Sequence, residues 1–319
     1  MQNDIKVSVL CLVYNHAKYL RKCLDGFVMQ KTNFKFEVLL HDDASTDGSQ
    51  DIIREYEKKY PDIFKPIYQT DNQYSKNISI GKTYLYPRVK GKYVAYCEGD
   101  DCWIDSNKLQ KQYDFLENNP DYSACVHRAI YHSVSDGKDS IEPEITEDTD
   151  INIEKAILGG GSLVATNSIM RRTEQLFNMP SCFNAKGFSD YQIIIYSAIC
   201  GKVRCFVDVM SQYNFGTNGS WTSTVWKDAN KRIELYKEEI RMLKCVDKHY
   251  DNKYHKYFDK KIASDEYNMY FLIGDYKKCI SKKYRFKFEK MTCKEKLYFI
   301  FSAYFPTMIS IYKRFKNHE

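Results

Sequence analysis

Three apolar segments in the first hundred residues run directly into clusters of polar side chains. Each is a continuous apolar run with the length of a buried strand: VSVLCLVY (7–14), FEVLLH (36–41) and KYVAYC (92–97). Asn15 follows the first run, Asp42 and Asp43 follow the second, and EGDD (98–101) follows the third. Carboxylates this close repel one another, so a fold keeps them where a cation offsets their charge or where they perform proton chemistry.

Segments with apolar residues at helical spacing separate these strands. The alternation predicts an α/β fold with a mostly parallel central sheet flanked by helices, to which 121–132 adds another strand. A strand at 62–69 contains Pro66 and is expected at an edge of the sheet. Ligands of such sheets bind at the carboxyl ends of the strands, so we expect the three polar clusters to share one rim.

The second half of the chain gives weaker patterns. Residues 134–155 are polar and acidic and predict a surface loop, and GGGSLVATNSIMRR (159–172) predicts a close-packed turn. A helix is expected after Ser189, and a long amphipathic helix is expected over 225–250. The remaining residues predict further helices, which are rich in Lys and Tyr.

Composition restricts the class of protein. Hydrophobic residues make up 43% of the 319 and charged residues 28%, which is typical of a globular chain and excludes a disordered one. Eleven cysteines without a repeated CxxC, and no secretory leader before Val7, predict free thiols in the cytoplasm and argue against a cysteine-based metal site. No run of 18 apolar residues predicts a transmembrane helix.

The acidic clusters admit two interpretations. Mg²⁺ and Mn²⁺ prefer carboxylate oxygens and bridge a few of them to substrate phosphates, which fits Asp100 and Asp101. The alternative is a solvated acidic turn that caps the helix beginning near Ser106. Asp42 and Asp43, which end a second strand in the same way, favour the ligand-binding interpretation.

The segments VSVLCLVYN, FEVLLHDDASTDGS and GKYVAYCEGDDCWID together resemble the three nucleotide-binding segments of family 2 glycosyltransferases. The resemblance covers residues 5–130 well and 155–222 more loosely. It implies the GT-A fold, a nucleotide-diphosphate sugar as donor, and inversion at the anomeric carbon. It also implies a glycosyltransferase domain over 1–222, with a nucleotide-binding half (about 1–132) and an acceptor half (133–222), followed by a basic, aromatic-rich helical region (223–319).

The resemblance also assigns residues to the nucleotide. Leu12, Val13 and Tyr14 match the strand end that lies along the base. Asp43 matches the carboxylate that accepts a hydrogen bond from a pyrimidine N–H, with Asp42 as the second candidate. These matches imply a donor that is a UDP-sugar.

Further matches concern the metal and the chemistry. Asp100 and Asp101 match the pair that touches the ribose and a Mn²⁺ or Mg²⁺ ion, and Asp101 is expected as the direct metal ligand. Glu98 stands where many members have Asp. Asp190, in FSDYQ before a helix, matches the general base, although Asp is also a common helix N-cap.

The segment QYNFGTNGSWTS (212–223) resembles the loop that closes over the diphosphate. Many members have Tyr-Arg and a His in this loop, whereas this chain has Asn214 after Tyr213 and no His. The candidate contacts to diphosphate or acceptor are, besides Glu98, Tyr213, Asn218, Ser220 and Trp221.

The expected activity is metal-assisted transfer of a sugar to a saccharide or lipid-linked saccharide hydroxyl in glycan biosynthesis. A sugar nucleotidyltransferase would need a Gly- and Lys/Arg-rich loop after the first strand, and VYNHAKYL contains no glycine. A catalytically silent nucleotide-binding or assembly protein at the membrane is the other alternative. Donor hydrolysis would distinguish it from an enzyme.

The C-terminal region is basic and aromatic. From Trp226 onward, 23 Lys and Arg residues oppose 13 Asp and Glu residues, although the whole chain has a net charge of only +6. The apolar segment LYFIFSAYFPTMISIY (297–312) lies between lysines. It predicts either peripheral binding to an anionic membrane on its cytoplasmic face or a helix folded back on the protein. We expect no nucleic acid partner.

Overall fold

The computed structural model describes residues 4–185, 189–217 and 225–305. The chain forms two compact units. The first contains Met1–Met179 and Ser189–Ser223, and the second contains Pro180–Phe188 and Thr224–Glu319. A functional division at residue 222 stays a prediction.

A ten-stranded mixed sheet forms the centre of the first unit. Its strands are β1 (Ile5–Val13), β2 (Lys35–Asp42), β3 (Phe64–Tyr68), β4 (Tyr93–Tyr96), β5 (Cys102–Trp103), β6 (Tyr122–Ser133), β7 (Asp139–Glu142), β8 (Thr149–Ile151), β9 (Met170–Arg172) and β10 (Lys202–Phe215). The main order is β3-β2-β1-β4-β9-β6-β10-β5, with β7 beside β6 and β8 beside β10. The first four strands of this order are parallel, and so are β6 and β10. The strand with Pro66 lies at the edge, as predicted.

Helices cover the sheet of this unit. They are α1 (Ala17–Val28), α2 (Ser49–Lys59), α3 (Lys108–Asn118), α4 (Ile153–Gly159), α5 (Glu174–Asn178) and α6 (Ser189–Cys200). In α1, apolar residues at helical spacing, such as Leu20, Leu24 and Phe27, are buried in a core shared with β1 and β2. The predicted α/β fold is therefore confirmed.

The carboxyl ends of β1, β2 and β4 meet at one rim. β1 lies between β2 and β4 and is parallel to both. The Asp43 amide donates to the Val13 carbonyl (2.9 Å), and the Gly99 amide donates to the Leu12 carbonyl (2.9 Å). These bonds place the residues after each strand side by side, which confirms the predicted rim.

Two parts of the sequence-based assignment were wrong. Residues 134–155 were predicted as a loop, but they contain β7 and β8 as well as the start of α4. The strands were not recognised because short polar strands at a sheet edge show no apolar alternation. β9 was missed, and it runs antiparallel between β4 and β6. All eleven cysteines are free thiols, as predicted.

The second unit is helical where the structure describes it. Its helices are α7 (Ala229–His249), α8 (His255–Leu272), α9 (Tyr276–Cys279), α10 (Arg285–Phe288) and α11 (Cys293–Tyr304). The predicted long helix at 225–250 corresponds to α7. Lys261 of α8 is buried and donates to Glu239 of α7 (2.5 Å) and to Asp265 (2.6 Å). No helix in the described ranges is long and apolar enough to cross a membrane.

Lys108 is a fully buried cation in the core of the first unit. Its Nζ donates to Gln112 Oε1 (2.7 Å) and lies 4.1 Å from the centre of the Trp103 ring. Burial lowers the pKa of Lys108 to about 7, because the charged form is poorly solvated there. The folded state therefore loses this proton at a lower pH than the unfolded chain does.

This linkage predicts how Lys108→Met changes stability with pH. Between pH 7 and the ordinary lysine pKa, the unfolded chain binds more protons, so the free energy of unfolding of the native protein rises with pH, by roughly 1 kcal/mol per unit at most. Met does not titrate, so the cost of burying or deprotonating the lysine is absent from the variant. The amount by which the free energy of unfolding of Lys108→Met exceeds that of the native protein should therefore shrink between pH 7 and pH 9 in denaturant titrations. The exposed Lys31→Met is the control, and a difference that stays constant with pH would contradict the analysis.

Candidate functional site

The turn after β1 presents an aromatic side chain at the rim. Val13 is buried, whereas Tyr14 is 47% exposed. Asn15 has a φ of 56°, a left-handed conformation that Asn tolerates better than most residues. Its amide donates to Ser45 Oγ (2.9 Å), and its side-chain oxygen accepts from the Thr46 amide (2.8 Å). The β1 and β2 turns are thereby joined, and Tyr14 stays accessible to a ligand.

Both carboxylates after β2 are buried in a hydrogen-bonded loop. Asp42 Oδ1 accepts from the Ser45 amide (3.0 Å) and from Gln50 Nε2 (2.7 Å). Asp43 accepts from the backbone amides of Gln73 (2.7 Å) and Tyr74 (3.0 Å). Each carboxylate oxygen can accept more than one hydrogen bond, so Asp43 keeps acceptor capacity while it fixes the loop after β3.

Asp101 is held between two asparagines from distant segments. Its Oδ2 accepts from Asn167 Nδ2 (3.0 Å), and its Oδ1 accepts from the Asn214 amide (2.9 Å). Asn167 also donates to the Gln212 carbonyl (3.0 Å) and accepts from Ser211 Oγ (2.6 Å). Both Asp101 oxygens are therefore occupied by protein donors, and the side chain is 2% exposed.

Asp100 is more open than Asp101. Its Oδ2 accepts from Thr217 Oγ1 (2.8 Å), and its Oδ1 lies 3.9 Å from His16 Nδ1. That His16 nitrogen is buried and has no hydrogen-bond partner among the described residues. A Cβ at Gly99 would lie 2.8 Å from Val13 Cγ2 and 2.9 Å from His16 Nδ1, so only glycine permits this close packing.

The carboxylates at the end of β4 are electrostatically frustrated. Burial, followed by Asp100 and Asp190, raises the pKa of Glu98 to about 8. Burial and then Asp100 raise the pKa of Asp101 well above its usual range. Within the described ranges, no Lys or Arg side chain lies within ion-pair distance of this cluster, and the nearest basic side chain is His16, with Nδ1 3.9 Å from Asp100 Oδ1. A divalent cation would supply the missing positive charge.

The donor set fits a metal that shares its coordination with a ligand. Among the described residues, no three His, Cys, Asp or Glu side chains converge on one metal position. Mg²⁺ and Mn²⁺ sites for phosphate substrates use one or two carboxylates, with phosphate oxygens and waters completing the shell. The available oxygens of Asp100, with the His16 nitrogen beside them, match such a partial site.

Asp190 lies at the same site, in the first turn of α6. Its Oδ1 accepts from the Tyr191 amide (2.7 Å), and a Cβ at Gly161 would lie 3.7 Å from it. Burial is the main cause of the raised pKa values of Glu98 and Tyr131, and the charge of Asp190 raises both further. The Tyr131 ring packs edge-on against Tyr213, with ring centres 5.3 Å apart. The structure thus brings Asp190 and Tyr213 close to the β4 carboxylates.

Comparisons with known proteins identify the family. The family model described as Glycosyl transferase family 2 matches residues 8–174, more than half of the chain. The chain belongs to glycosyl transferase family 2. Family membership places it among the glycosyltransferases.

The relatives agree with this assignment. An uncharacterized protein of Mycobacterium tuberculosis is 33% identical over 222 residues, which are 68% of this chain and 61% of that protein. The chain thus matches less than two thirds of that relative's length. A poly(ribitol-phosphate) beta-glucosyltransferase of Bacillus spizizenii is 33% identical over 116 residues, which are 36% of this chain and 18% of that enzyme.

Solved structures share the fold. TarS 1–349 of S. aureus, in complex with UDP-GlcNAc, has a TM-score of 0.55 at 14% identity, over 93% of this chain and 87% of TarS. The mannosyltransferase PcManGT of Pyrobaculum calidifontis, in complex with GDP-Man and Mn²⁺, has a TM-score of 0.51 at 14% identity. This structural match covers 93% of this chain and 86% of PcManGT. The predicted GT-A type of fold is confirmed.

The sequence analysis missed four residues of the site, and three of the residues that it proposed lie where the structure describes nothing. His16, Asn167, Asn214 and Thr217 surround the β4 carboxylates, but each is a common polar residue with no motif of its own. Of the four, only His16 could have been proposed from the sequence, because it follows Asn15 in the polar turn after β1. Three sequence candidates lie outside the described residues: Asn218, Ser220 and Trp221.

Asn167 Nδ2 and the Asn214 amide together form an asparagine clamp on the Asp101 carboxylate. This clamp predicts that Asn167→Asp destabilises the protein. The change is nearly isosteric, but it replaces a donor with a second buried carboxylate beside Asp101. An uncompensated buried charge costs about 3 kcal/mol or more, to be measured by urea denaturation at pH 7.5. Asn107→Asp, at the exposed N-cap of α3, is the matched control and should change stability little. Equal stability of the two variants would show that the clamp has no such role.

Proposed function

We propose that this chain is an inverting glycosyltransferase that uses a UDP-sugar and glycosylates a hydroxyl of a saccharide or lipid-linked saccharide. One observation carries the proposal. Asp190 is near enough to Glu98 for its charge to act on that carboxyl group, which supports a candidate base and a candidate metal ligand at one site. The TarS neighbour binds UDP-GlcNAc and the Pyrobaculum neighbour binds GDP-Man, which supports a nucleotide sugar as donor. The Bacillus relative is named for a polymeric acceptor, which supports a role in glycan biosynthesis.

The turns after β1 and β2 are proposed to hold the nucleotide base. Leu12, Val13 and the exposed Tyr14 supply a surface for the base. Asp43 is the proposed acceptor for a pyrimidine N–H, and Asp42 is the second candidate. Because Asp43 also binds the amides of Gln73 and Tyr74, the base and the loop after β3 would be positioned by the same carboxylate.

We assign Asp100 as the direct ligand of Mn²⁺ or Mg²⁺ and Asp101 as the residue that positions it. The sequence favoured Asp101, but its two oxygens accept hydrogen bonds from Asn167 and Asn214. Asp100 Oδ1 accepts no hydrogen bond from the described residues and lies 3.9 Å from His16 Nδ1. The bound cation would stabilise negative charge on the departing diphosphate. Glu98 and Tyr213 are the remaining described candidates for contact with diphosphate or acceptor.

Asp190 is proposed to accept the proton of the acceptor hydroxyl. The oxygen then attacks the anomeric carbon from the face opposite the diphosphate, and a single displacement inverts the configuration. The new C–O bond forms as the bond to the diphosphate breaks. Tyr131, whose ring packs against Tyr213, lies near enough to Asp190 for the charge of that carboxylate to act on it.

The proposal predicts that two variants separate donor binding from transfer. Asp190→Asn keeps the size and the oxygen that accepts from the Tyr191 amide, so UDP binding with Mn²⁺ should persist while transfer falls by about 10²-fold or more. Asp100→Asn should instead lose the Mn²⁺-dependent part of UDP affinity. Calorimetry with UDP and a coupled assay for released UDP measure the two quantities. Near-native transfer by Asp190→Asn would refute the assignment of the base, and a silent nucleotide-binding protein would show no UDP release from any variant.

We also propose that the second unit binds an anionic membrane peripherally. On α11, Phe299 is buried against Tyr267, while Leu297, Phe301 and Tyr304 are 45–59% exposed on the other side. The helix therefore folds back through one face and leaves an apolar face in solvent. Residues 276–319 carry 12 Lys and Arg against 3 Asp and Glu, and such a combination suits anionic headgroups.

This second proposal predicts the effect of Leu297→Ser combined with Phe301→Ser. Both side chains are exposed, so folding should be preserved. Affinity for vesicles containing phosphatidylglycerol should fall by about tenfold or more, because burying one such side chain contributes about 1.5–3 kcal/mol. Cosedimentation measures it, with the exposed Tyr74→Ser as control. If the native protein does not cosediment at low salt, α11 has only its structural role.

A further inference from the structure

The first unit contains a cavity of about 400 Å³ that is lined by none of the carboxylates of the rim. It is formed by the helical turns at 81–88, by β9, by α5 and by one side of α6. Its lining combines two cations, Lys82 and Arg171, with Gln192 and with apolar side chains such as Phe177 and Met179. None of the described residues that line it is acidic. Its volume lies in the range of small-molecule sites.

Arg171 is buried without the acceptors that a structural arginine needs. Its side chain is 1% exposed, and its Nε donates to the hydroxyl of Tyr96 (2.8 Å). Its Nη1 has no hydrogen-bond partner among the described residues. A guanidinium carries five N–H donors, and leaving a buried charge unpaired is costly.

The next residue shows what a satisfied arginine looks like in this sheet. Arg172 donates to the carbonyls of Tyr122 (2.8 Å), Leu116 (2.9 Å) and Asn119 (3.2 Å), and to the hydroxyl of Tyr93 (3.3 Å). All three of its nitrogens are used. The two arginines are neighbours on β9 and differ in which face of the sheet they enter. The contrast shows that Arg171, unlike Arg172, keeps a donor that the described residues do not use.

We propose that this cavity is a second ligand site, which binds a small anion attached to an apolar body. A phosphate monoester or a carboxylate would accept from the guanidinium, with Lys82 as a second cation at the rim. The apolar side chains would contact the rest of the molecule. Asp100 and Asp190 are not among the lining residues, so the site is separate from that proposed for sugar transfer.

The first experiment compares three probes on the full-length protein by calorimetry. Octyl phosphate carries both features of the ligand, octanol lacks the anion, and inorganic phosphate lacks the apolar body. Octyl phosphate should bind about tenfold or more tightly than either control compound. Saturating UDP with Mn²⁺ should leave this binding in place. Abolition of octyl phosphate binding by UDP would overturn the proposal, and so would absence of binding both to octyl phosphate and to vesicles that contain phosphatidic acid.

Variants then locate the binding. Arg171→Met should weaken octyl phosphate binding by about tenfold or more, since it removes the charged donor. Lys82→Met and Phe177→Asp change side chains at the exposed rim and decide the question if Arg171→Met does not fold. Both should weaken binding, and Phe177→Asp should do so by adding a negative charge. Arg54→Met, outside the lining residues, is the control and should bind as the native protein does. Unchanged binding by the rim variants would refute the site.

A final experiment distinguishes a free small molecule from a lipid headgroup as the source of the anion. Binding of octyl phosphate in solution indicates a free small molecule as the ligand. Binding confined to vesicles that contain phosphatidic acid, absent with phosphatidylcholine alone and lost in Lys82→Met and Phe177→Asp, indicates a lipid headgroup. Either result supports an anion site at Arg171. Equal retention of these variants and the native protein on phosphatidic acid vesicles, without octyl phosphate binding, refutes it.

Discussion

The concentration of negative charge after β4 is the constraint on which the rest of the site depends. Asp101 is removed from water, and its two oxygens are fixed by Asn167 and by the backbone of Asn214. Neutral donors offset only part of the cost of burying a carboxylate. They also tie β10 and the segment before β9 to the end of β4. Asp100 and Glu98 are the other carboxylates at this strand end, and a cation bound at Asp100 would offset negative charge on them and on a diphosphate.

Local patterns in the sequence predicted the rim well. The apolar run at 7–14 corresponds to Ile5–Val13, and the run at 92–97 contains Tyr93–Tyr96. Parallel strands joined by helices can be arranged in few ways, so their polar ends had to meet. The shared rim and the position of Asp190 in the first turn of α6 follow from such local information. These are the parts of the fold for which a strand or helix is specified by its own residues.

Contacts between distant segments could not be predicted in the same way. Asn167 and Thr217 reach the β4 carboxylates across 66 and 117 positions of the chain, and nothing in their neighbourhoods marks them. β9 has three residues, too few for an alternation to be recognised. The choice between Asp100 and Asp101 as metal ligand also required geometry. In EGDD the two are equivalent neighbours, and only the asparagine clamp distinguishes their environments.

The pair Arg171 and Arg172 shows how one short strand can serve two different requirements. Successive side chains of a strand point to opposite faces of a sheet. Arg172 enters the face packed by α3, where it donates hydrogen bonds to carbonyls at the end of that helix. Arg171 enters the other face and reaches Tyr96, on the same strand that ends in the carboxylate cluster. A ligand at Arg171 would therefore lie against the side of β4, and a donor at Asp100 would lie beyond its end. The two would not compete for space, so each site can be altered and measured without removing the other.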